Sequence, residues 1–127
     1  MKEHEEWLSR ARSCLALART QKADEIVCED LCFQAQQSVE KGLKALLIFF
    51  GERPPRTHDL VSLLHTVGKY AAIPESIRET VILNDYAVQM RYPGDYTPVS
   101  EDELREAIRL AEGCYSWIAG IIRKEHG

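Results

Sequence analysis

An all-α fold, an antiparallel up-and-down bundle of four to five helices, is what this sequence predicts, on three observations. Apolar residues recur at spacings of three and four over long stretches, the period of an amphipathic helix. Strand signals are nearly absent, with no sustained alternation and no hairpin dipeptide. The breaks between periodic segments are short, which favours antiparallel neighbours. With 127 residues and no internal repeat, low-complexity tract or linker, the chain reads as one domain spanning 1–127.

The elements follow in order. Trp7, Ala11, Cys14, Leu15 and Ala18 define a first amphipathic helix over about residues 3–21. Leu31, Ala35, Val39, Leu43, Leu46 and Phe50 form one stripe of a second helix, which stops at Gly51 ahead of Pro54 and Pro55. At the rise of an α-helix it is roughly 35 Å long and serves as the spine. Thr57 is the expected N-cap of a shorter helix carrying Leu60, Leu63, Leu64 and Val67, with Asp59 in its first turn. Pro74 suits the first turn of a fourth helix, where Ile77, Val81, Leu83 or Tyr86, and Met90 keep the period until Tyr92 precedes Pro93. Ser100 and Glu103 spell a capping box for a last long helix bearing Leu104, Ile108, Ala111, Tyr115, Ile118 and Ile122. Because Leu46, Leu47, Ile48, Phe49 and Phe50 put apolar groups on more than one face, that helix end is either central in the monomer or covered by a second subunit, and a homodimer is expected.

Composition narrows the function classes. Apolar residues at 45% and charged residues at 28% are those of a soluble globular chain. A net charge of -4 excludes coating nucleic acid or anionic membrane by bulk electrostatics, so any such contact is local. No run approaches the roughly 18 apolar residues of a membrane span. The start, MKEHEEWLSR, lacks the apolar core of a signal peptide, so a cytoplasmic protein without membrane contact is expected. Cys14, Cys28, Cys32 and Cys114 lie in helical patterns without zinc-site spacing and read as small buried hydrophobes. No phosphate-binding loop, dinucleotide fingerprint, H-E-x-x-H or G-x-S-x-G is present, and no cofactor or metal is expected.

Three polar segments carry the chemistry that remains. In RYPGDY, residues 91–96, Pro93 breaks the helix and Gly94 lets the chain turn, so that Arg91 and Tyr96 are expected to share a cleft. Arg91 then either offsets the helix dipole, with the tyrosines as packing groups, or clamps an anion in its planar fork of donors while Tyr92 or Tyr96 stacks on a base. In QQSVEKGLK, residues 36–44, Gln37, Lys41 and Lys44 share a helical sector, and Glu40 with Lys44 is an i,i+4 pair expected to be solvated. In RPPRTHD, residues 53–59, Arg53, Arg56 and His58 gather on a stiff loop, where His58 is a binding residue or part of a cap.

Taken together, AQQSVEKGLKALLIFFGERPPRTHDLVSLL (35–64), the Asp85–Tyr86 pair with RYPGDY, and the closing helix resemble the HEPN family, the higher-eukaryote and prokaryote nucleotide-binding domain, over nearly the whole chain. The resemblance implies a helical bundle, commonly homodimeric, that partners a minimal nucleotidyltransferase in toxin-antitoxin systems. It also implies that many members are metal-independent ribonucleases, built on an arginine and a histidine with four to six residues between them. Arg91 matches the arginine, whereas Tyr96, Thr97 and Pro98 occupy the histidine positions. Tyrosine, with a pKa near 10, is a poor match for acid-base work near neutrality. The resemblance therefore implies a branch with R-Y-P-x-x-Y in which anion, nucleotide or RNA phosphate binding is kept and catalysis is not assigned. Its binding residues would be Arg91, Tyr92, Asp95, Tyr96, Lys41, Lys44 and His58. The alternatives are a ribonuclease with an atypical site, using Tyr96 or His58 across a dimer, and a purely structural interaction bundle.

Overall fold

The computed structural model describes residues 2–87, 94 and 97–126. Regular structure among them is helical throughout: α1 (Glu3–Ala18), α2 (Cys28–Phe49), α3 (Leu60–Val67), the single turn α4 (Glu75–Arg78) continued by a 3-10 helix (Glu79–Tyr86), and α5 (Glu101–His126). The all-α bundle expected from the periodicity is the fold observed.

Consecutive long elements alternate in direction. The His4 ring at the start of α1 meets Phe49 at the end of α2 edge-on, with centroids 5.2 Å apart, and Ser38 Oγ of α2 donates to the Ala11 carbonyl over 2.8 Å. The 3-10 helix runs back along α5, with Tyr86 beside Glu103 and Ile77 beside Gly113. Helix α2 is the spine: Leu31, Cys32, Ala35, Val39, Leu43, Leu46 and Leu47 are all buried, in one core with Leu15, Leu60, Leu63, Leu83, Ala111 and Ile118. Each such leucine contributes about 1.5–3 kcal/mol of transfer free energy. Gly42 marks the closest approach: a Cβ there would stand 3.0 Å from Ile118 Cδ1 and 3.8 Å from Ala11 Cβ, so the absent side chain lets α1, α2 and α5 meet. The apolar end of α2 is thus central in the monomer: Leu46 and Leu47 are covered within one chain, while Ile48, Phe49 and Phe50 are half-buried.

Local chemistry explains the ends. α2 stops in a Schellman turn, where Gly51 at φ 89° donates to the Ile48 carbonyl and Glu52 N–H reaches the Leu47 carbonyl, each over 2.9 Å. The expected capping box opens α5, with Glu103 N–H donating to Ser100 Oγ at 3.1 Å and Ser100 N–H to the Glu103 carboxylate at 3.4 Å.

Three expectations are corrected. α1 ends at Ala18, three residues early, with Arg19 as its C-cap. The N-cap of α3 is Asp59, not Thr57: its carboxylate accepts from Val61 N–H at 3.0 Å, while Thr57 Oγ1 accepts from Asp59 N–H one step upstream. The fourth helix is not a continuous α-helix. Pro74 is its N-cap, and beyond Arg78 the chain tightens to three residues per turn. Side chains then eclipse at i,i+3, so Ile77, Thr80 and Leu83 form the buried stripe and Tyr86 extends it, while Val81 is only partly covered. Thr80 tolerates burial because its hydroxyl donates to the Ile77 carbonyl over 2.6 Å. Met90 lies outside the described residues.

Candidate functional site

A second row runs along α2 beside the apolar stripe. Cys28, Cys32, Gln36, Glu40 and Lys44 succeed one another at i,i+4, and all five are buried. The two cysteines are inert packing groups, since burial pushes the Cys32 thiol up to about 12 and raises Cys28 as well. The other three residues form a polar network.

Glu40, with a side chain 4% exposed, is its hub. Lys44 Nζ lies 3.0 Å from Oε2, and Gln36 Nε2 donates to Oε1 over 3.1 Å. His58 Nδ1 sits 3.1 Å and 3.0 Å from the two carboxylate oxygens. Gln36 Nε2 also reaches the His58 carbonyl at 3.3 Å, and Gln37 Nε2 donates to Gln36 Oε1 at 2.8 Å. Burial by itself would push the Glu40 carboxyl up. The hydrogen bonds from Gln36, Lys44 and His58 and the Lys44 charge more than offset it, holding the group below its ordinary value and therefore ionised. The Glu40–Lys44 pair foreseen at i,i+4 is present, but it is buried rather than solvated.

The network pins the α2–α3 loop. His58 belongs to that loop, and its side chain is 77% exposed although one ring nitrogen is held by a buried carboxylate. An ionised acceptor beside Nδ1 favours a proton on that nitrogen. The far end of the loop is fixed by Asn84 of the 3-10 helix, whose Oδ1 accepts from Leu60 N–H and whose Nδ2 donates to Asp59, both over 2.9 Å.

On the other side of Lys44 lies a pocket of about 300 Å³ lined by Trp7, Lys44, Arg53, Pro54, Pro55 and Arg56. Lys44 Nζ stands 5.9 Å from the Trp7 ring centroid, within cation–π range. Arg53 forks onto Glu3 through contacts of 2.6 Å and 3.1 Å. The hydrogen bonds from Arg53 hold the Glu3 carboxyl below its ordinary value, so this surface carboxylate orients the Arg53 wall of the pocket.

Of the residues singled out in the sequence, Lys44 and His58 are therefore brought together, joined through Glu40. Lys41 is not: its Nζ turns to Cys14 Sγ of α1 at 3.4 Å. Arg91, Tyr92, Asp95 and Tyr96 lie outside the described residues; Gly94, where a turn is expected, takes φ 93°, in the left-handed region. Sequence reasoning missed Gln36 and the hub role of Glu40. The available signal was their place on a row that begins with two cysteines and runs beside the apolar stripe.

A HEPN domain model matches residues 4–122. The structure superposes on the crystal structure of TT1696 from Thermus thermophilus with a TM-score of 0.81 at 27% identity, covering 94% of this chain and 98% of that one. It superposes on ST0689, an archaeal HEPN homologue, with a TM-score of 0.76 at 30% identity, covering 96% and 99%. No functionally curated protein matches the chain. The buried Gln36–Glu40–Lys44 row, the loop it anchors and the closing helix as far as residue 122 fall inside the matched span, and the chain belongs to the HEPN family.

Proposed function

We propose that this HEPN domain is a homodimeric module that binds nucleotide or RNA phosphate and partners a minimal nucleotidyltransferase in a toxin-antitoxin-type system, in the cytoplasm. Arg91 is the anion clamp in this reading, with Tyr92, Asp95 and Tyr96 around it and Lys44 and His58 as accessory groups. The observation that carries it is the cationic end of the bundle, where Lys44, Arg53, Arg56 and the anchored His58 gather on an otherwise acidic chain. Such a local patch concentrates an anionic ligand that the net charge would repel.

Binding of a fluorescent RNA oligonucleotide in EDTA tests the clamp. Wild type is expected to bind, and Arg91→Ala to weaken binding by about tenfold, the worth of a charge-assisted phosphate contact. Equal affinities would remove Arg91 from the site. Light scattering at micromolar concentration is expected to give the dimer mass, and a minimal nucleotidyltransferase reading frame is expected to adjoin this one, its product co-purifying on co-expression.

The Glu40–His58 contact favours a second reading, a metal-independent ribonuclease in which His58 Nε2 serves as the acid-base group. Under it, RNA is degraded in EDTA and both His58→Ala and Arg91→Ala abolish the cleavage. Intact RNA with the wild-type protein rules it out.

A further inference from the structure

We infer that Cys14 and Lys41 form a peroxide-responsive modification site, at which oxidation of the thiol joins Sγ on α1 to Nζ on α2 as a sulfenamide bridge. The starting geometry is in place: Lys41 Nζ stands 3.4 Å from Cys14 Sγ, between residues 27 positions apart in the chain. A lysine on a helix ordinarily keeps its head in water or on a carboxylate. The half-buried Lys41 instead reaches across to the neighbouring helix and ends on sulfur, and it makes no ion pair among the described residues. The other three cysteines have no amine in hydrogen-bond contact among the described residues. Burial raises Cys28 and pushes the Cys32 and Cys114 thiols up to about 12, which leaves them as packing groups. At 6% exposure, Cys14 favours a small oxidant such as hydrogen peroxide over a protein thiol.

The chemistry balances with one molecule of hydrogen peroxide. Cys14 Sγ attacks one peroxide oxygen, the O–O bond breaks, and the thiol becomes a sulfenic acid while the other oxygen leaves as water with the thiol proton. Sulfur gives up two electrons, and the peroxide accepts them. A sulfenic acid condenses with a nitrogen held against it, and here that nitrogen is Lys41 Nζ. The ammonium passes one proton to solvent. Its lone pair then attacks Sγ, the S–N bond forms as the S–O bond breaks, and the departing hydroxide leaves as water with a second proton from the nitrogen. Two molecules of a small thiol reverse the step, restoring the cysteine and the amine and leaving as a disulfide. The flexible lysine stem supplies the movement that closing the gap requires. The bridge lies one turn from the Ser38–Ala11 hydrogen bond and closes a loop over those 27 positions, so it ties α1 to the spine and restricts the unfolded chain.

The test treats the folded wild-type protein with hydrogen peroxide and maps its tryptic peptides by mass. The Ser13–Arg19 peptide is expected to appear joined to one that runs through Lys41, where trypsin no longer cuts, at a mass two hydrogen atoms below the sum of the two. Dithiothreitol is expected to separate them. The melting temperature should rise by about 5–10 °C on oxidation and return on reduction. Lys41→Arg keeps a cation beside the sulfur, but a guanidinium is too weak a nucleophile to condense, so this variant is expected to stop at a sulfenic acid that dimedone captures, with no rise in melting temperature. Cys14→Ser is expected to give neither product. Should a variant fail to fold, the wild-type map decides alone. The inference is overturned by a wild-type protein that stays unbridged at peroxide concentrations that oxidise the thiol of a free peptide, or by disulfides forming in place of the bridge. Dimedone capture as complete in wild type as in Lys41→Arg would also overturn it, as would a cross-link that forms equally well in urea, where the helices no longer hold the two groups together.

Discussion

The two ends of α2 are built on different principles. At its C-terminal end the Gly51 turn satisfies the last carbonyls, and the outgoing loop is tied back through His58 to Glu40, through Arg53 to Glu3, and through Asn84 to the start of α3. At its N-terminal end the cap position is Val27, in the extended conformation a cap requires but with no side-chain acceptor to offer, and its side chain is half exposed. One end of the same helix is thus over-determined and the other carries unmet donors. The residues with binding chemistry stand at the over-determined end, where a ligand finds groups whose positions are already set.

The largest break in this asymmetry is expected from Glu40→Ala. It removes the carboxylate from a buried pair, leaving Lys44 without its acceptor and Gln36 with only the His58 carbonyl, at a cost of about 3 kcal/mol in denaturant unfolding. Replacing Glu40 and Lys44 together by leucine should recover most of that loss, because the penalty comes from the orphaned charge. A double mutant as unstable as the single one would mean that the network matters for its geometry instead. Acid gives a milder version. Glu40 is held below its ordinary value of 4.5 in the folded protein, so its contribution is fully present above that value and is lost as pH falls through the lower folded pKa. The stability gap between wild type and Glu40→Gln is therefore expected to be flat from neutrality down to about pH 5 and to close below it.

A smaller effect is expected from Gly51→Ala, read by the same denaturant curves. At φ 89° an L-residue is strained, and the loss should be about 1–2 kcal/mol although nothing stands within 4 Å of the new methyl. If the strain instead opens the turn, the α2–α3 loop shifts, and the emission of Trp7 reports it.

These two sites also show what a sequence discloses. Gly51 was legible because a Schellman turn is local: an apolar period, a glycine and then prolines suffice. The Ser100–Glu103 box and the α5 stripe were legible for the same reason. Glu40 was misread because an i,i+4 acid-base pair looks the same on the page whether water or Trp7 and a returning loop lie beyond it, and burial is decided by residues far away along the chain. The 3-10 helix was hidden by Thr80, a polar residue on the spacing-of-three stripe whose hydroxyl is satisfied one turn back, so the apolar pattern alone favoured Val81. Asp59 and Thr57 were exchanged as caps because both side chains can accept and only the register of the loop, set by Asn84, chooses between them.

The smallest effect is expected at the neglected end, and its sign is the opposite of the others. Val27 already has φ -89° and ψ 147°, so Val27→Ser would place a hydroxyl oxygen where the second or third amide of α2 can donate to it without any change of backbone. The valine side chain is 51% exposed, which limits the apolar burial given up. Serine is preferable to aspartate here because Glu29 and Asp30 already occupy the first turn, and a third carboxylate would repel them. The expected gain is about 0.5–1 kcal/mol, or a rise in Tm of about 2–4 °C in a calorimetric scan. Because Val27 is remote from Glu40 along α2, the gain should add in full to the Glu40→Ala background. A gain that disappears in that background would show that the two ends of the helix unfold as one cooperative unit linked through the loop, and the contrast between them would then be one of local hydrogen bonding and not of stability.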